Sequence, residues 1–133
     1  VVTAHQIQFD EVKYANDVMF SAKVGYYAKT ITAVKQPIYC ITTSSNSLTR
    51  KMTAGAIMCR YSVSVNFHLF LRNIGKEKYQ GIILRYFILA IKYAPSCIIP
   101  MLKIGLKYRV NFLAGLHRWR QVLDRNKKNF SHF

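Results

Sequence analysis

The sequence predicts a mainly α-helical chain that forms one domain, and three observations support this. Apolar residues recur at helical spacing in the stretches 10–36, 78–94 and 101–125. Prolines and short polar segments separate these stretches. The 133 residues suit one domain with one modest core, and no linker or low-complexity tract divides them. We therefore predict a single domain over residues 1–133.

The first predicted helix spans residues 10–36. Asp10 is a suitable N-cap for it. Small or apolar residues then alternate in steps of three and four, as on one face of an amphipathic helix: Val12, Ala15, Met19, Ala22 and Tyr26. Pro37 ends this helix, because proline disfavours the helical conformation of the residue before it. The β-branched and aromatic residues 38–43 are predicted to be extended.

Residues 53–71 support two interpretations. From Tyr61 to Leu71 apolar and polar residues alternate, which indicates a strand with one buried face. The whole span is nevertheless close to the roughly 20 residues of a transmembrane helix, and basic residues flank it on both sides. Arg60 inside the span opposes a crossing by about 2.5–3.5 kcal/mol if it lies at the membrane centre. A transmembrane helix and a strand are both left open.

The stretch 78–94 contains a repeated dipeptide in which a basic residue precedes a tyrosine. The pairs are Lys78-Tyr79, Arg85-Tyr86 and Lys92-Tyr93, and each pair follows the previous one by seven residues. Since seven residues are close to two helical turns, a helix over 78–94 places the cations in one row and the tyrosines beside it. The other positions are apolar, so we predict a helix buried in protein or lipid with one basic seam for anions. A solvated face on a helix buried in protein is the alternative.

A last helix is predicted over residues 101–125, and its basic residues extend the candidate anion-binding set. That set is Lys78, Arg85, Lys92, Lys103, Lys107, Arg118 and Arg120. Amphipathic rings next to these cations are candidate anchors at an interface between water and an apolar phase. The anchors are Tyr79, Tyr86, Tyr93 and Trp119. The anion is either a lipid head group or an RNA phosphate, and Trp119 also suits base stacking.

The charge of the chain indicates a negatively charged partner. Twenty Lys and Arg against five Asp and Glu give a net charge of +15, and eight basic residues occur between Glu77 and Asp124 without an acid. Binding to nucleic acid or anionic lipid relieves such self-repulsion. Because 51% of the residues are also hydrophobic, we expect a chain that lies within a larger assembly, at a membrane or inside a ribonucleoprotein.

The sequence contains no group of residues typical of an active site. Its five acids form no evident acid/base pair, and its four histidines lack the spacing of metal ligands. No glycine-rich phosphate loop or nucleophile motif occurs. We therefore predict that the protein is not an enzyme and has no metal site and no cofactor. Its three cysteines lie in apolar contexts, which favours buried, reduced thiols.

Two stretches resemble subunit g of mitochondrial ATP synthase, a small membrane subunit at the dimer interface. Residues 26–29, YYAK, are similar to the tyrosine-rich end of that family's N-terminal amphipathic helix. The run from Gly55 through residues 74–76, IGK, is similar to its single transmembrane helix and the motif after it, with Asn73 in place of the family's glutamate. The resemblance covers about residues 12–81, and it implies a scaffold role without catalytic residues.

The first functional hypothesis is a non-catalytic accessory subunit of a mitochondrial inner-membrane complex, either ATP synthase or a respiratory complex. It would bind anionic phospholipid and neighbouring subunits. The alternative is a mitochondrial ribosomal protein of the matrix that binds rRNA. A helix at 53–71 favours the membrane hypothesis, and a strand favours the ribosomal one. The first residue, Val1, fits either a removed targeting peptide or a trimmed sequence.

Overall fold

The computed structural model describes residues 1–37 and 52–116, and these residues form helices and no strand. The four α-helices are α1 (Asp17–Tyr27), α2 (Ala54–Asn73), α3 (Leu84–Tyr93) and α4 (Ile98–Lys107). Two short 3-10 turns, Glu77–Tyr79 and Pro95–Cys97, precede α3 and α4. The mainly α prediction is confirmed, and the strand interpretation of 53–71 is wrong. The extended segment predicted at 38–43 lies outside the described residues.

Helix α2 is the centre of the fold, because it contacts each of the other three helices, whereas α1 packs on α2 alone among the described helices. Ile57, Tyr61 and Val65 of α2 belong to the core shared with α3 and α4. Val63 is also buried but lies on the opposite side, where it lines a cavity beside Val18 of α1. Two opposite buried faces on one helix produce apolar residues at every second position, which is the pattern that imitated a strand.

The predicted membrane crossing at 53–71 is also corrected. Within residues 1–37 and 52–116, no helix combines the length and the apolar character that a bilayer crossing requires. Helix α2 has 20 residues, but Ser, Asn, His and Arg side chains interrupt its apolar positions.

The core between α2, α3 and α4 is arranged around Tyr61, which is fully buried. Its hydroxyl donates a hydrogen bond of 2.8 Å to the carbonyl oxygen of Met101 in α4. Its ring meets Tyr86 and Phe87 of α3 edge-on, with centroid distances of 6.1 and 5.8 Å. Gly105 lets α4 approach this cluster closely, because a Cβ there would overlap the Phe112 ring. The tyrosine thus joins all three helices through packing and one buried hydrogen bond.

Helix α1 is shorter than the predicted helix 10–36. It begins at Asp17 with Asn16 as its N-cap, so the predicted N-cap at Asp10 is wrong. Ala15 has φ 58°, and a right-handed helix does not pass through that left-handed conformation. The helix ends at Tyr27, and residues 29–37 after it are exposed, so burial against other described residues does not stabilise further turns.

The predicted helix 78–94 is divided into two parts. Lys78 and Tyr79 lie in the 3-10 turn, and α3 begins only at Leu84. Between them Gln80 has extended backbone angles, φ −57° and ψ 139°, and its buried side chain donates to the carbonyl of His68 at 3.4 Å. The tertiary contact of this glutamine interrupts the helix that local periodicity predicted. The predicted end before Pro95 is confirmed, because α3 stops at Tyr93.

Helix α2 ends in a Schellman motif with a glycine. Gly75 has φ 66°, and its N–H bonds to the carbonyl of Arg72 at 3.1 Å. The N–H of Lys76 bonds to the carbonyl of Leu71 at 2.7 Å. These two hydrogen bonds satisfy carbonyls that the end of the helix would otherwise leave without donors.

Helix α4 starts earlier than the predicted helix 101–125, which is interrupted after Lys107. It begins at Ile98, because Pro100 lies in the first turn, where a helix needs no N–H from it. It ends at Lys107 in a second Schellman motif, and Arg109 occupies the left-handed position with φ 48°. The N–H groups of Arg109 and Val110 bond back at 3.1 and 2.8 Å. Residues 117–125 of the predicted helix lie outside the described residues.

The left-handed conformation of Arg109 predicts a stabilising substitution. A non-glycine residue in this conformation is strained by roughly 1 kcal/mol, so we expect Arg109→Gly to raise the free energy of unfolding by about that amount. Urea denaturation followed by circular dichroism measures the change.

The matched control is Gly75→Ala, which places a Cβ at the equivalent position after α2. We expect it to lower the free energy of unfolding by about 1 kcal/mol. A loss of stability in Arg109→Gly would contradict the assignment of strain to this residue.

Candidate anion-binding site

The structure places five of the seven predicted anion-binding residues, and all five have exposed side chains. Lys78 lies in the first 3-10 turn, Arg85 and Lys92 lie on α3, and Lys103 and Lys107 lie on α4. Only Arg85 and Lys92 therefore share a helix as the seven-residue repeat predicted. Arg118, Arg120 and Trp119 lie outside the described residues.

The repeated dipeptide forms a local cation–π pair at each occurrence. The cation lies over the ring of the tyrosine that follows it, at 5.1 Å for Lys78, 4.7 Å for Arg85 and 5.1 Å for Lys92. Lys107 adopts the same arrangement over Tyr108 at 5.3 Å. Such a contact orients a cation without neutralising it, since the ring carries no net charge.

The three tyrosines predicted as interface anchors are not equivalent. Tyr79 and Tyr93 are about half exposed, at 52% and 48%, which suits an anchor. Tyr86 is only 5% exposed and packs in the core against Tyr61. Its prediction as an interface anchor is therefore wrong, because its position in α3 directs it toward α2 rather than outward.

Helices α3 and α4 each leave an apolar strip uncovered beside a basic strip. On α3 the exposed apolar residues are Ile88 and Ile91, and Arg85 and Lys92 lie three and four residues from Ile88. On α4 the exposed apolar residues are Ile99, Leu102 and Leu106. Lys103 follows Ile99 by four residues, and Lys107 follows Lys103 by four. Each helix therefore has one apolar face toward the core and, on its exposed surface, a second apolar strip beside basic residues.

A cavity of about 300 Å³ lies between α1, α2 and the beginning of α3. Its polar lining residues are Arg60, Ser64, His68, Arg85 and Tyr86. The lining includes two arginines and neither Asp nor Glu, so the electrostatic potential inside favours an anion. Arg85 of α3 is one of the predicted anion-binding residues, whereas the polar residues of α2 were not among them. The signal in the sequence is the four-residue spacing of residues 60, 64 and 68, which places them on one face of a helix.

Both arginines of the cavity make contacts with neutral groups. The guanidinium of Arg60 lies 5.0 Å from the centroid of the Tyr14 ring, and its Nη1 lies 3.8 Å from Sδ of Met52. Nη2 of Arg85 donates to the hydroxyl of Tyr86 at 2.6 Å. These contacts orient each guanidinium and do not themselves neutralise its charge.

A pair of hydroxyl groups completes the donor side of the cavity. Ser64 Oγ donates to Tyr86 Oη at 2.8 Å, and the same tyrosine oxygen accepts from Arg85. One hydrogen bond between two hydroxyls uses one of their two protons, so one proton stays outside the pair. The pair therefore offers one further donor beside the two guanidiniums.

His68 lines the cavity with a buried ring that is only 4% exposed. Burial lowers its pKa below the ordinary 6.5, and a hydrogen bond to the Gly81 backbone opposes that shift. Because this bond favours the protonated ring, the ring donates it. Nδ1 is buried without a hydrogen-bond partner within the described part of the chain. In a neutral imidazole, the nitrogen that does not carry the donating proton is an acceptor.

Arg72 serves the fold rather than the cavity. Its guanidinium donates to the carbonyl of Tyr108 at 3.3 Å from both terminal nitrogens, and to the carbonyl of Arg109 at 3.4 Å. These carbonyls follow the last turn of α4, where a positive charge is favourable. The residue that flanked the predicted membrane segment thus connects the end of α2 to the end of α4.

Within residues 1–37 and 52–116, no group of three or more His, Cys, Asp or Glu side chains could hold a metal ion. Cys59 and Cys97 are free thiols. No protein-family model matches the chain, and no curated protein or solved structure matches it significantly.

The lowered pKa of His68 predicts a loss of stability in mild acid. Below pH 6.5 the unfolded chain takes up the proton more readily than the folded one, so the contribution of His68 is complete above that pH and is lost as the pH falls toward the folded pKa. The slope reaches at most about 1.4 kcal/mol per pH unit. We expect His68→Gln to remove this component from urea denaturation curves recorded at a series of pH values.

Asn66→Gln, an exposed and uncharged substitution on the same helix, is the matched control and should keep the wild-type slope. If the free energy of unfolding changed with pH at the same slope in wild type and His68→Gln, burial of His68 would not disfavour its charged form.

Proposed function

We propose that the protein is a non-catalytic accessory subunit of a membrane complex, held at an anionic membrane surface by α3 and α4. The expected location is the mitochondrial inner membrane, and the expected assembly is ATP synthase or a respiratory complex. This part of the proposal is supported by the sequence resemblance at residues 26–29 and 74–76. The likeness of the run from Gly55 to a transmembrane helix lends no support, because no helix within residues 1–37 and 52–116 has the length and apolar character of a crossing. The remaining support comes from the surfaces of the two helices.

The observation that carries the proposal is the uncovered apolar strip on each helix. Ile91, Ile99 and Leu106 are 65%, 65% and 69% exposed, which is unusual for large aliphatic side chains on neighbouring helices. Ile88 and Leu102 continue the strips at 46% and 41%. A surface of this kind gains free energy when an apolar phase covers it.

The basic residues beside the strips indicate that the apolar phase has a negatively charged surface. Arg85, Lys92, Lys103 and Lys107 border the strips, and no Asp or Glu occurs between Glu77 and Asp124. A lipid bilayer with anionic head groups offers apolar chains below a negative surface. An amphipathic helix with lysines at its polar margin binds such an interface, with its apolar face about 5–10 Å deep.

The expected free energies of binding indicate that charge and apolar contact act together. Each basic residue near an anionic surface contributes about 1 kcal/mol, and each aliphatic side chain contributes about 1.5–3 kcal/mol if fully buried. Since the strips are only partly exposed, their side chains contribute less than this. Four cations and five aliphatic side chains would together supply several kcal/mol, enough for reversible attachment.

This attachment is interfacial rather than spanning. The apolar residues of α2 already pack against α1, α3 and α4, so α2 has little apolar surface left for lipid. The strips of α3 and α4, by contrast, are available from outside the fold. Neighbouring subunits would cover the rest of the molecule.

Binding to rRNA is the competing function. Exposed Lys and Arg side chains suit a phosphate backbone equally well. The aliphatic strips weigh against RNA, because bases and phosphates offer little aliphatic surface for Ile and Leu. We therefore treat RNA binding as an outcome of the test rather than as a second proposal.

Vesicle sedimentation tests the proposal on the full chain. We expect binding to phosphatidylcholine vesicles that contain cardiolipin and much weaker binding to phosphatidylcholine alone. The double variant Lys103→Gln/Lys107→Gln should weaken binding to the anionic vesicles by about 30-fold, since each charge contributes about 1 kcal/mol. Leu106→Gln alone should also weaken binding to the anionic vesicles. Its effect should be clearest at high salt, where the charges are screened and apolar contact dominates.

The control is Lys29→Gln/Lys35→Gln, which removes two exposed charges from the segment after α1 and should bind like wild type. Equal affinity for neutral and anionic vesicles would overturn the proposal. So would absence of vesicle binding together with salt-dependent binding to an RNA duplex, and that result would favour the ribosomal function.

A further inference from the structure

We propose that the groove between α1 and α2 binds a single acyl chain with an anionic head, as in a medium-chain fatty acid. The groove has a volume of about 480 Å³, within the roughly 300–1,000 Å³ of small-molecule pockets. Its described lining comes from α1, from α2 and from the segment that follows α2, and it includes no residue of α3 or α4. The inference therefore does not depend on attachment of α3 and α4 to a membrane.

The α1 side of the groove is formed by small residues. These are Ser21, Ala22 and Gly25, which share one face of the helix. A Cβ at Gly25 would meet no atom within 4 Å, so the groove is open beside this glycine. The small residues thus leave room that the packing of α1 on α2 does not fill.

The α2 side is formed by large apolar residues that lie about one turn apart. Phe67, Phe70 and Ile74 line it, and all three are half-buried. The ring of Tyr26 on α1 meets Phe70 edge-on, with a centroid distance of 5.9 Å, and is itself 49% exposed. Aromatic and aliphatic surfaces that remain accessible to water gain free energy when an apolar ligand covers them.

Lys76 gives the groove its charge. It is exposed, it lies just beyond the C-terminal end of α2, and it is the one charged residue among the described residues of the lining. Its neighbour Glu77 lines a different cavity, beside Arg72 and Arg109. A cation at an apolar groove is complementary to an amphiphile with an anionic head. The carboxylate of a fatty acid would pair with Nζ of Lys76 while the chain lies between α1 and α2.

The size of the groove favours an acyl chain over a protein partner. From Phe67 to Ile74 helix α2 rises by about 10 Å, at 1.5 Å per residue, which suits a chain of medium length such as that of decanoic acid. A stable protein interface takes about 20–30 residues from each side, whereas ten residues of the described structure line the groove.

Isothermal titration calorimetry on the full chain tests the proposal with decanoic acid below its critical micelle concentration. We expect saturable binding with one site per chain. Octanoic acid should bind several-fold more weakly, because two fewer methylene groups contact the groove. Decyltrimethylammonium has the same apolar chain with a cationic head and should also bind several-fold more weakly.

Gly25→Leu tests the position of the chain, because the new side chain occupies the open groove. We expect it to weaken decanoate binding by about tenfold or more, through loss of the contacts of several methylene groups. The matched control is Gly55→Leu on α2, where a Cβ likewise meets no atom within 4 Å and the residue does not line the groove. It should bind decanoate like wild type. Since neither Cβ meets another atom, both variants should fold, and thermal unfolding without ligand verifies this.

Lys76→Gln tests the head group and should weaken decanoate binding by about threefold to fivefold, as expected for one partly solvated ion pair. It should leave the binding of decyltrimethylammonium unchanged or stronger. The matched control is Lys103→Gln on α4, which removes one exposed charge outside the lining and should bind decanoate like wild type. Equal losses in Lys76→Gln and Lys103→Gln would show a general effect of charge and would overturn the role of Lys76.

The remaining outcomes separate this site from the membrane proposal. Absence of saturable decanoate binding overturns the groove. Loss of binding in Leu106→Gln but not in Gly25→Leu would place the ligand on the strip of α4, which overturns the groove and leaves the membrane proposal standing. A wild-type dimer that Gly25→Leu converts to a monomer, without decanoate binding in either form, would show that a second copy occupies the groove and would also overturn the proposal. Gly25→Leu should leave vesicle binding unchanged.

Discussion

The burial of α2 on opposite sides is the constraint on which the described structure depends. One side carries Ile57, Tyr61 and Val65 into the core with α3 and α4, and the other side faces α1. Tyr61 fixes the first side, because its ring packs on α3 and its hydroxyl bonds to the backbone of α4. A helix covered from both sides leaves its polar residues few places to lie. Three of them, Arg60, Ser64 and His68, form one row that lines a cavity.

The same arrangement determines where the charge of the protein lies. Since α2 occupies the centre, α3 and α4 each turn one face inward and one outward. Their basic residues lie on the outward side next to isoleucines and leucines that nothing in the described structure covers. Arg85 stands where the two regions meet, because it lies at the beginning of α3 and also lines the cavity. One helix end thereby connects an exposed cationic surface with an internal polar site.

Local backbone conformation and tertiary contacts together determine where the helices α2 and α4 end. After α2, a glycine supplies the left-handed residue of the Schellman motif, in accordance with its conformational freedom. After α4, Arg109 fills the equivalent position, and three hydrogen bonds from Arg72 support the carbonyls there. Tertiary support of this kind allows a helix to stop without glycine or proline. Sequence reasoning extended the last helix past this point because neither residue marks its end.

The sequence by itself determined the helical class, the end of α3 before Pro95 and the cations beside apolar residues on α3 and α4, because each follows from local periodicity or from the geometry of proline. It did not determine whether residues 53–71 form a strand or a helix, since one helix buried on opposite sides and one strand buried on one side produce the same alternation. It also placed Tyr86 outward and missed Arg60, Ser64 and His68 as one group. Only the tertiary structure decided these points, because which side of a helix is buried depends on partners that are distant in the chain.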